Sequence, residues 1–247
     1  MSVKVVTFDC WGTLFLDSPA ADEVYRAQRL AGIEAALTAS GVSVRPRDLE
    51  RAYGASARYL ARIWQDHRDV SVELHVHALL DALDPAWSSR VGRAALDEMI
   101  EAYSRPALTV APAVDRSARD TLEALAARGC ALAVISNIMR TPGRVLKIVL
   151  DRARLLECFS VLTFSDECGI RKPDPEIFWR TLREVGVTAD HAVHVGDDAV
   201  LDVEGARDAG MRVIQLSASG RATGAVKPDA VVSRLADVAL VFERLGW

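Results

Sequence analysis

The sequence predicts an α/β protein in which helices cover both faces of a parallel sheet and a small helical domain is inserted after the first strand. Short apolar runs rich in β-branched residues alternate with helix-compatible segments over most of the chain. An early stretch breaks this alternation, because it contains helical patterns alone. Polar residues follow directly after several of the apolar runs, at the sheet edge where open α/β folds bind their ligands.

The alternating part of the chain contains five predicted strands, over residues 3–8, 130–135, 160–164, 192–195 and 212–216. Helices are predicted over 115–128, 142–153, 175–185 and 201–209, and several of them end at a glycine. Strands that alternate with helices form parallel pairs through right-handed crossovers. We therefore expect a Rossmann-like core with three layers, α/β/α.

The stretch without strands is predicted to form four helices, over 23–40, 47–65, 71–83 and 88–103. It is expected to be a small α-helical cap domain over residues 17–108, inserted into a catalytic core formed by 1–16 plus 109–247. Pro19 and the proline-containing segment 105–112 are the expected hinges.

Composition excludes some function classes. The chain has 247 residues and a formal net charge of only −4, so no strong field attracts it to nucleic acid or to an anionic membrane. Its four cysteines form no C-x-x-C pair and no zinc-type cluster, which indicates reduced thiols. With no signal-peptide or membrane-span pattern, we expect a cytoplasmic monomer or homodimer that binds a small anionic molecule.

The polar residues that follow the strands form four clusters, each with side chains suited to chemistry. The clusters are Asp9 with Gly12 and Thr13, Ser136 with Asn137, Lys172, and Asp197 with Asp198 and Asp202. Each has a structural interpretation: a capping aspartate, a Ser-Asn turn, a surface lysine or an acidic helix N-terminus. Because all four are predicted at one edge of one sheet, we favour a functional site.

The expected chemistry follows from the charges. A carboxylate after a buried strand is costly unless a cation or a hydrogen-bond donor lies beside it. The turn at Gly12 and Thr13 offers backbone N–H groups to an anion next to Asp9. Acidic residues as close as Asp197 and Asp202 repel one another unless a cation lies between them, and Mg²⁺ is the expected ion.

With these motifs the whole chain resembles the haloacid dehalogenase-like hydrolase superfamily, in the subclass with an α-helical cap. The motifs read Asp9-Cys10-Trp11-Gly12-Thr13, Ser136-Asn137, Lys172-Pro173-Asp174, and Gly196-Asp197-Asp198 with Asp202. The resemblance implies that Asp9 is the covalent nucleophile, that Thr13 and Ser136 hold an anionic oxygen, and that Lys172 screens the nucleophile. It also implies an Mg²⁺ site formed by Asp9, Asp197 and the backbone carbonyl of Trp11, which Asp202 supports.

Trp11 departs from the phosphatase pattern, which has a second Asp there as general acid and base. Loss of such a group costs about 10²- to 10⁴-fold in rate unless the leaving group needs no proton. The resemblance therefore leaves open a haloacid dehalogenase, since those enzymes have an aromatic residue at this position and expel halide. In those dehalogenases an Asp at the position of Asp202 activates water. Serines and an Asn precede that Asp in the dehalogenases, whereas this chain has Asp197 and Asp198 there.

The acidic pair favours an Mg²⁺-dependent phosphohydrolase, because added carboxylates without a cation would raise the pKa of Asp9. Phosphonate cleavage is set aside because its cap lysine is absent: no lysine occurs between Lys4 and Lys147. A catalytically impaired binding protein is the remaining alternative. We expect Trp11 and Gly12 to line the leaving-group pocket, and the best substrates to have leaving groups of low pKa.

Overall fold

A computed structural model describes residues 2–16, 18–87 and 91–247. The chain divides into two compact units. The first contains residues 1–17, 113–137 and 150–247, and the second contains 18–112 and 138–149. Our assignment of residues 17–108 as a substrate-selecting cap stays a proposal.

The first unit is built on one sheet of six strands, and every pair of neighbouring strands is parallel. The strands are β1 (Val5–Phe8), β2 (Ala131–Ser136), β3 (Val161–Phe164), β4 (Ala192–Gly196), β5 (Arg212–Leu216) and β6 (Ala230–Val232). Their order across the sheet is β3-β2-β1-β4-β5-β6. The chain adds β2 and β3 on one side of β1, and then β4, β5 and β6 on the other side, so the strand order switches between β1 and β4. The predicted α/β class and parallel sheet are confirmed.

The described α-helices are numbered in chain order. They are α1 (Pro19–Ala39), α2 (Pro46–Gln65), α3 (Val72–Leu83), α4 (Arg93–Ser104), α5 (Pro106–Thr109), α6 (Ala118–Ala127), α7 (Gly143–Arg152), α8 (Ser165–Cys168), α9 (Pro175–Val185), α10 (Gly205–Asp208) and α11 (Val238–Leu245). A π-helix covers Ala199–Glu204, and 3₁₀ turns cover Leu156–Cys158, Ala189–His191 and Leu235–Asp237. Among the described helices, none is long and apolar enough to cross a membrane.

Apolar packing holds the sheet in place. Ile177 and Phe178 of α9 pack in one buried cluster with Val5 of β1, Val203 of the π-helix and Val213 of β5. Helix α9 begins where the sequence has its start signals, because the Asp174 side chain accepts a hydrogen bond from Glu176 N–H and Pro175 follows it. Parallel pairing of β1 with β2 and with β4 places the carboxyl ends of these strands beside one another.

The second unit has its own core. Ile33 and Leu37 of α1, Leu79 of α3 and Met99 of α4 are fully buried in one cluster. Ser18 caps the start of α1, where its side chain accepts a hydrogen bond from Ala21 N–H. The predicted helices of this segment agree with α1–α4 within a few residues, except that residues 88–90 of the last one lie outside the described part of the chain.

Two features differ from the predicted elements. The short edge strand β6 escapes the sequence pattern, because three residues give too little alternation to be recognised. The helix predicted over 201–209 begins instead as the π-helix Ala199–Glu204, in which Val203 N–H donates to Asp198 C=O. Such wide turns often occur at functional sites.

Candidate active site

One ammonium group lies between two buried carboxylates at the carboxyl edge of the sheet. Lys172 Nζ lies 2.8 Å from Asp9 Oδ1 and 2.6 Å from Asp202 Oδ1. Asp9 follows β1, and its N–H donates to Val195 C=O of β4 (3.0 Å). Lys172 and Asp202 are 2 % and 0 % exposed, so water screens this cluster weakly.

Burial and pairing shift the pKa values of these groups in different directions. Burial raises the pKa of Asp9, and the nearby Lys172 offsets only part of this rise. Burial also opposes ionisation of Asp202, but Lys172 and His194 outweigh it and hold its pKa below the usual range. The pKa of Lys172 is raised despite its burial, because Asp202 and Asp9 stabilise its charge. Asp202 and Lys172 therefore form the fixed ion pair, and Asp9 is the more basic carboxylate.

A tight turn and two hydroxyl groups extend the site. Leu14 and Phe15 N–H both donate to Cys10 C=O (2.9 and 2.7 Å), which closes the turn after Asp9. Thr13 and Ser136 are fully buried, and among the described residues neither hydroxyl oxygen has a hydrogen-bond partner other than the Cys10 thiol beside Ser136. Buried hydroxyls without partners are rare, so their arrangement suits a bound anion that accepts from them.

The acidic end of the site fits a divalent cation. Carboxylate oxygens of Asp9, Asp197 and Asp202 lie within 4.8 Å of one another. Burial raises the pKa of Asp197 to about 7, and repulsion from Asp202 and Asp9 contributes to the rise. At Gly12, whose φ is +72°, a β-carbon would come within 2.5 Å of Asp197 Cγ, so only glycine lets the turn approach this carboxylate. The donor set is oxygen-rich and has excess negative charge, as Mg²⁺ requires.

Comparison with known proteins identifies the family. The family model described as haloacid dehalogenase-like hydrolase matches residues 3–210. The chain belongs to this family. As a haloacid dehalogenase-like protein it is a hydrolase, and the parallel sheet with helices around it is the family's α/β fold.

The proteins to which this haloacid dehalogenase-like chain is similar include a named phosphatase and a named dehalogenase. The chain is 33% identical over 231 residues to phosphoserine phosphatase of Thermus thermophilus, covering 86% of this chain and 88% of that protein. It is 28% identical to the human haloacid dehalogenase-like hydrolase domain-containing protein 3, covering 85% and 80%. A crystal structure of 2-haloacid dehalogenase from Pseudomonas syringae pv. Tomato DC3000 superimposes with a TM-score of 0.73 at 28% identity, covering 98% and 99%.

Two residues predicted for the site, Asn137 and Asp198, use their side chains to hydrogen-bond backbone groups of neighbouring site segments. The Asn137 amide donates to Lys172 C=O (2.9 Å) and accepts from Lys172 N–H (2.8 Å), so it positions the lysine. The exposed Asp198 side chain accepts from Val200 and Leu201 N–H and caps the π-helix, while its own N–H donates to Asp202 Oδ2.

The two residues after Asp9 have separate environments. Cys10 is fully buried, and burial together with Asp9 raises the pKa of its thiol, which excludes it as a nucleophile. Trp11 is partly exposed, and its ring lies edge-on to Phe15 with 5.5 Å between ring centroids. The position of the missing acid is thus occupied by an indole with an aromatic neighbour.

Sequence reasoning missed three polar residues inside strands. Thr7 and His194 lie in register on β1 and β4, and His194 Nε2 is 3.0 Å from Asp202 Oδ1. Gln215 of β5 donates to Asp197 C=O (3.1 Å) and to Thr223 Oγ1 (2.6 Å), which links the loop after β5 to the acidic end. The signal was available, because a polar residue within a strand buried on both faces needs a specific partner.

We expect Asp197→Asn to stabilise the protein in EDTA, by about 1–3 kcal/mol at pH 8. The folded-state pKa of Asp197 (about 7) lies above the usual 3.8, so wild-type stability falls as pH rises from about 4 to about 7. The amide variant lacks this loss, and its advantage in thermal unfolding should be larger at pH 8 than at pH 5. Asp81→Asn, at an exposed site on α3, is the control. An equal effect at both pH values would contradict the raised pKa.

Proposed function

We propose that this hydrolase is an Mg²⁺-dependent phosphohydrolase that acts on a small phosphorylated metabolite through an aspartyl-phosphate on Asp9. The observation that supports this proposal most strongly is the concentration of negative charge at Asp9, Asp197 and Asp202, the acidic end of the site. Three carboxylates meet within 4.8 Å, and burial together with repulsion from Asp202 and Asp9 raises the pKa of Asp197 to about 7. A cation relieves this repulsion and keeps Asp9 ionised for attack. The relative named phosphoserine phosphatase, at 33% identity, supports the choice.

Asp9, Asp197 and the backbone carbonyl of Trp11 would hold the ion. Asp202 is less suited as a ligand, because its Oδ1 accepts from Lys172 and His194 and its Oδ2 accepts from Asp198 N–H. Bound Mg²⁺ would neutralise charge on the nucleophile and on the transferring phosphoryl group.

In the proposed first step, an Asp9 carboxylate oxygen attacks phosphorus, and the bond from phosphorus to the leaving oxygen breaks with its electron pair on that oxygen. The hydroxyls of Thr13 and Ser136 donate to phosphoryl oxygens, which gives these buried groups the acceptors they lack. Lys172 offsets the repulsion between Asp9 and the anionic substrate. In the second step water attacks phosphorus, the bond from phosphorus to Asp9 breaks, and inorganic phosphate and free Asp9 are produced.

Trp11 determines which leaving groups are suitable. Indole cannot protonate a departing alkoxide at neutral pH, so alkyl phosphates should react slowly. Acyl, anomeric and aryl phosphates leave as weaker bases and need less assistance. We therefore propose a phosphorylated metabolite whose leaving group has a low pKa.

A haloacid dehalogenase is the second candidate. Trp11 favours it, as does the likeness at 28% identity to the 2-haloacid dehalogenase of P. syringae. In that reaction Asp9 would displace halide from carbon, and an activated water would hydrolyse the resulting ester. Asp202 is poorly suited to activate that water, because it is 0 % exposed and both of its oxygens already accept hydrogen bonds.

The direct test is turnover of p-nitrophenyl phosphate and acetyl phosphate, alongside chloride release from 2-chloropropionate, each with Mg²⁺ and with EDTA. We expect phosphate release that needs Mg²⁺ and falls at least about 10³-fold in Asp9→Asn. Chloride release that persists in EDTA and depends on Asp9 would reject the phosphohydrolase in favour of the dehalogenase.

A second prediction concerns Trp11→Asp, which places a carboxyl group where an acid is missing. Relative to acetyl phosphate, kcat/KM for an alkyl phosphate should rise about 10²-fold, since general acid catalysis assists only the poorer leaving group. Trp11→Phe is the matched control, because it keeps an aromatic ring beside Phe15 and adds no acid. An unchanged ratio in Trp11→Asp would show that Trp11 does not account for leaving-group preference.

A further inference from the structure

A chain of buried polar groups extends from the acidic cluster into the centre of the sheet. Thr7 Oγ1 lies 2.8 Å from His194 Nδ1, and His194 Nε2 lies 3.0 Å from Asp202 Oδ1. The same carboxylate oxygen accepts from Lys172 Nζ, which in turn contacts Asp9. Thr7, His194 and Asp202 are all 0 % exposed, so bulk solvent screens these hydrogen bonds weakly.

The partners determine where the imidazole carries its proton. An ionised carboxylate can only accept, so the bond to Asp202 requires a proton on Nε2 of His194. The Nδ1 atom then faces the hydroxyl of Thr7, which can donate to it. The arrangement therefore fits a ring that donates from Nε2 to Asp202 and accepts at Nδ1 from the Thr7 hydroxyl.

The ring is also fixed by packing. Phe178 of α9 meets His194 edge-on, with 5.1 Å between ring centroids and an interplanar angle of 89°. Parallel pairing of β1 with β4 sets Thr7 directly opposite His194. Backbone register, ring packing and a hydroxyl donor thus all orient the Nε2–H bond toward Asp202.

We propose that His194, oriented by Thr7, is a positioning residue for catalysis. It holds the Asp202 carboxylate so that Lys172 stays within contact of Asp9 in the geometry required for attack. This inference rests on the proposed role of Asp9 as nucleophile, but not on whether the substrate is a phosphate or a haloacid. Residues that support a catalytic group in this way typically contribute about 10- to 100-fold in activity.

The first test needs no substrate. Two-bond ¹H–¹⁵N correlation spectra of the imidazole rings at pH 7.5 report the tautomer of each histidine, and His194→Gln identifies the His194 signals. In the wild type we expect the proton on Nε2, with Nδ1 accepting from the Thr7 hydroxyl. In Thr7→Val we expect the proton to stay on Nε2, because Asp202 still accepts it, and the Nδ1 resonance to shift, because the hydroxyl that donates to it is lost. A wild-type ring protonated on Nδ1, or on both nitrogens, would overturn the assignment.

The second test measures kcat and KM separately, on whichever phosphate or haloacid the wild type hydrolyses. We expect His194→Phe to lower kcat about 10- to 100-fold with KM within about threefold. His194→Gln should recover most of this loss, since its amide can donate from the position of Nε2. Thr7→Val should lower kcat several-fold.

A buried threonine pair that makes no hydrogen bond to Thr7, His194 or Asp202 supplies the control. Thr163 of β3 shares a hydrogen bond of 2.7 Å with Thr181 of α9, so Thr163→Val removes a comparable bond without touching Asp202. Its kcat should stay within about twofold of the wild type. If Thr163→Val and Thr7→Val lose activity equally, or if His194→Gln is as slow as His194→Phe, the positioning role is wrong.

The two proposals fail separately. A wild type that hydrolyses neither substrate class would reject the proposed function, while the tautomer measurement still tests the Thr7–His194 pair by itself. If His194→Phe does not fold, the kcat of Thr7→Val and the wild-type spectrum can still refute the inference.

Discussion

The contact of Lys172 with two buried carboxylates is the interaction on which the candidate site depends. A single ammonium group balances one of the charges on Asp9 and Asp202, and Asp197 adds a third carboxylate nearby. Such a cluster is stable only if its geometry and further hydrogen bonds offset desolvation. Asn137 fixes the backbone of Lys172, while His194 and Asp198 N–H hold Asp202.

This charge balance also separates the possible reactions. The pair of Lys172 with Asp202 is internally neutral, which leaves Asp9 and Asp197 with negative charge and no equivalent partner. A cation beside Asp9 and Asp197 would complete the balance, as the proposed attack on an anionic phosphate requires. A metal-free displacement of halide would leave Asp197 with a raised pKa and without a catalytic role.

The fold and the meeting of the main residues of the candidate site at one sheet edge could be predicted from the sequence, because both follow from simple patterns. Apolar strands alternate with helices, and Asp9, Ser136 and Asp197 occur at or directly beyond strand ends, which meet at one edge of a parallel sheet. Lys172 follows β3 by several residues, and its place depends on Asn137, whose side chain binds the lysine backbone in both directions.

Other features depend on pairings that a single sequence does not reveal. The contact between Thr7 and His194 requires the register of β1 with β4, two strands far apart in the chain. The Asp198 carboxylate caps the π-helix that follows β4. The sequence alone does not distinguish this capping role from the roles of the neighbouring Asp197 and Asp202. Gln215 reaches Asp197 C=O only because β5 pairs with β4.

The most direct test of whether water attacks phosphorus or the carbonyl carbon of an Asp9 intermediate is to run several turnovers of acetyl phosphate with Mg²⁺ in H₂¹⁸O. The proposed second step forms the new bond between water oxygen and phosphorus, so the label should enter inorganic phosphate. Mass spectrometry of the peptide containing Asp9 should then find its carboxyl oxygens unlabelled. Label in the Asp9 carboxyl group would contradict this account, since it requires water to attack the carbonyl carbon of an Asp9 intermediate.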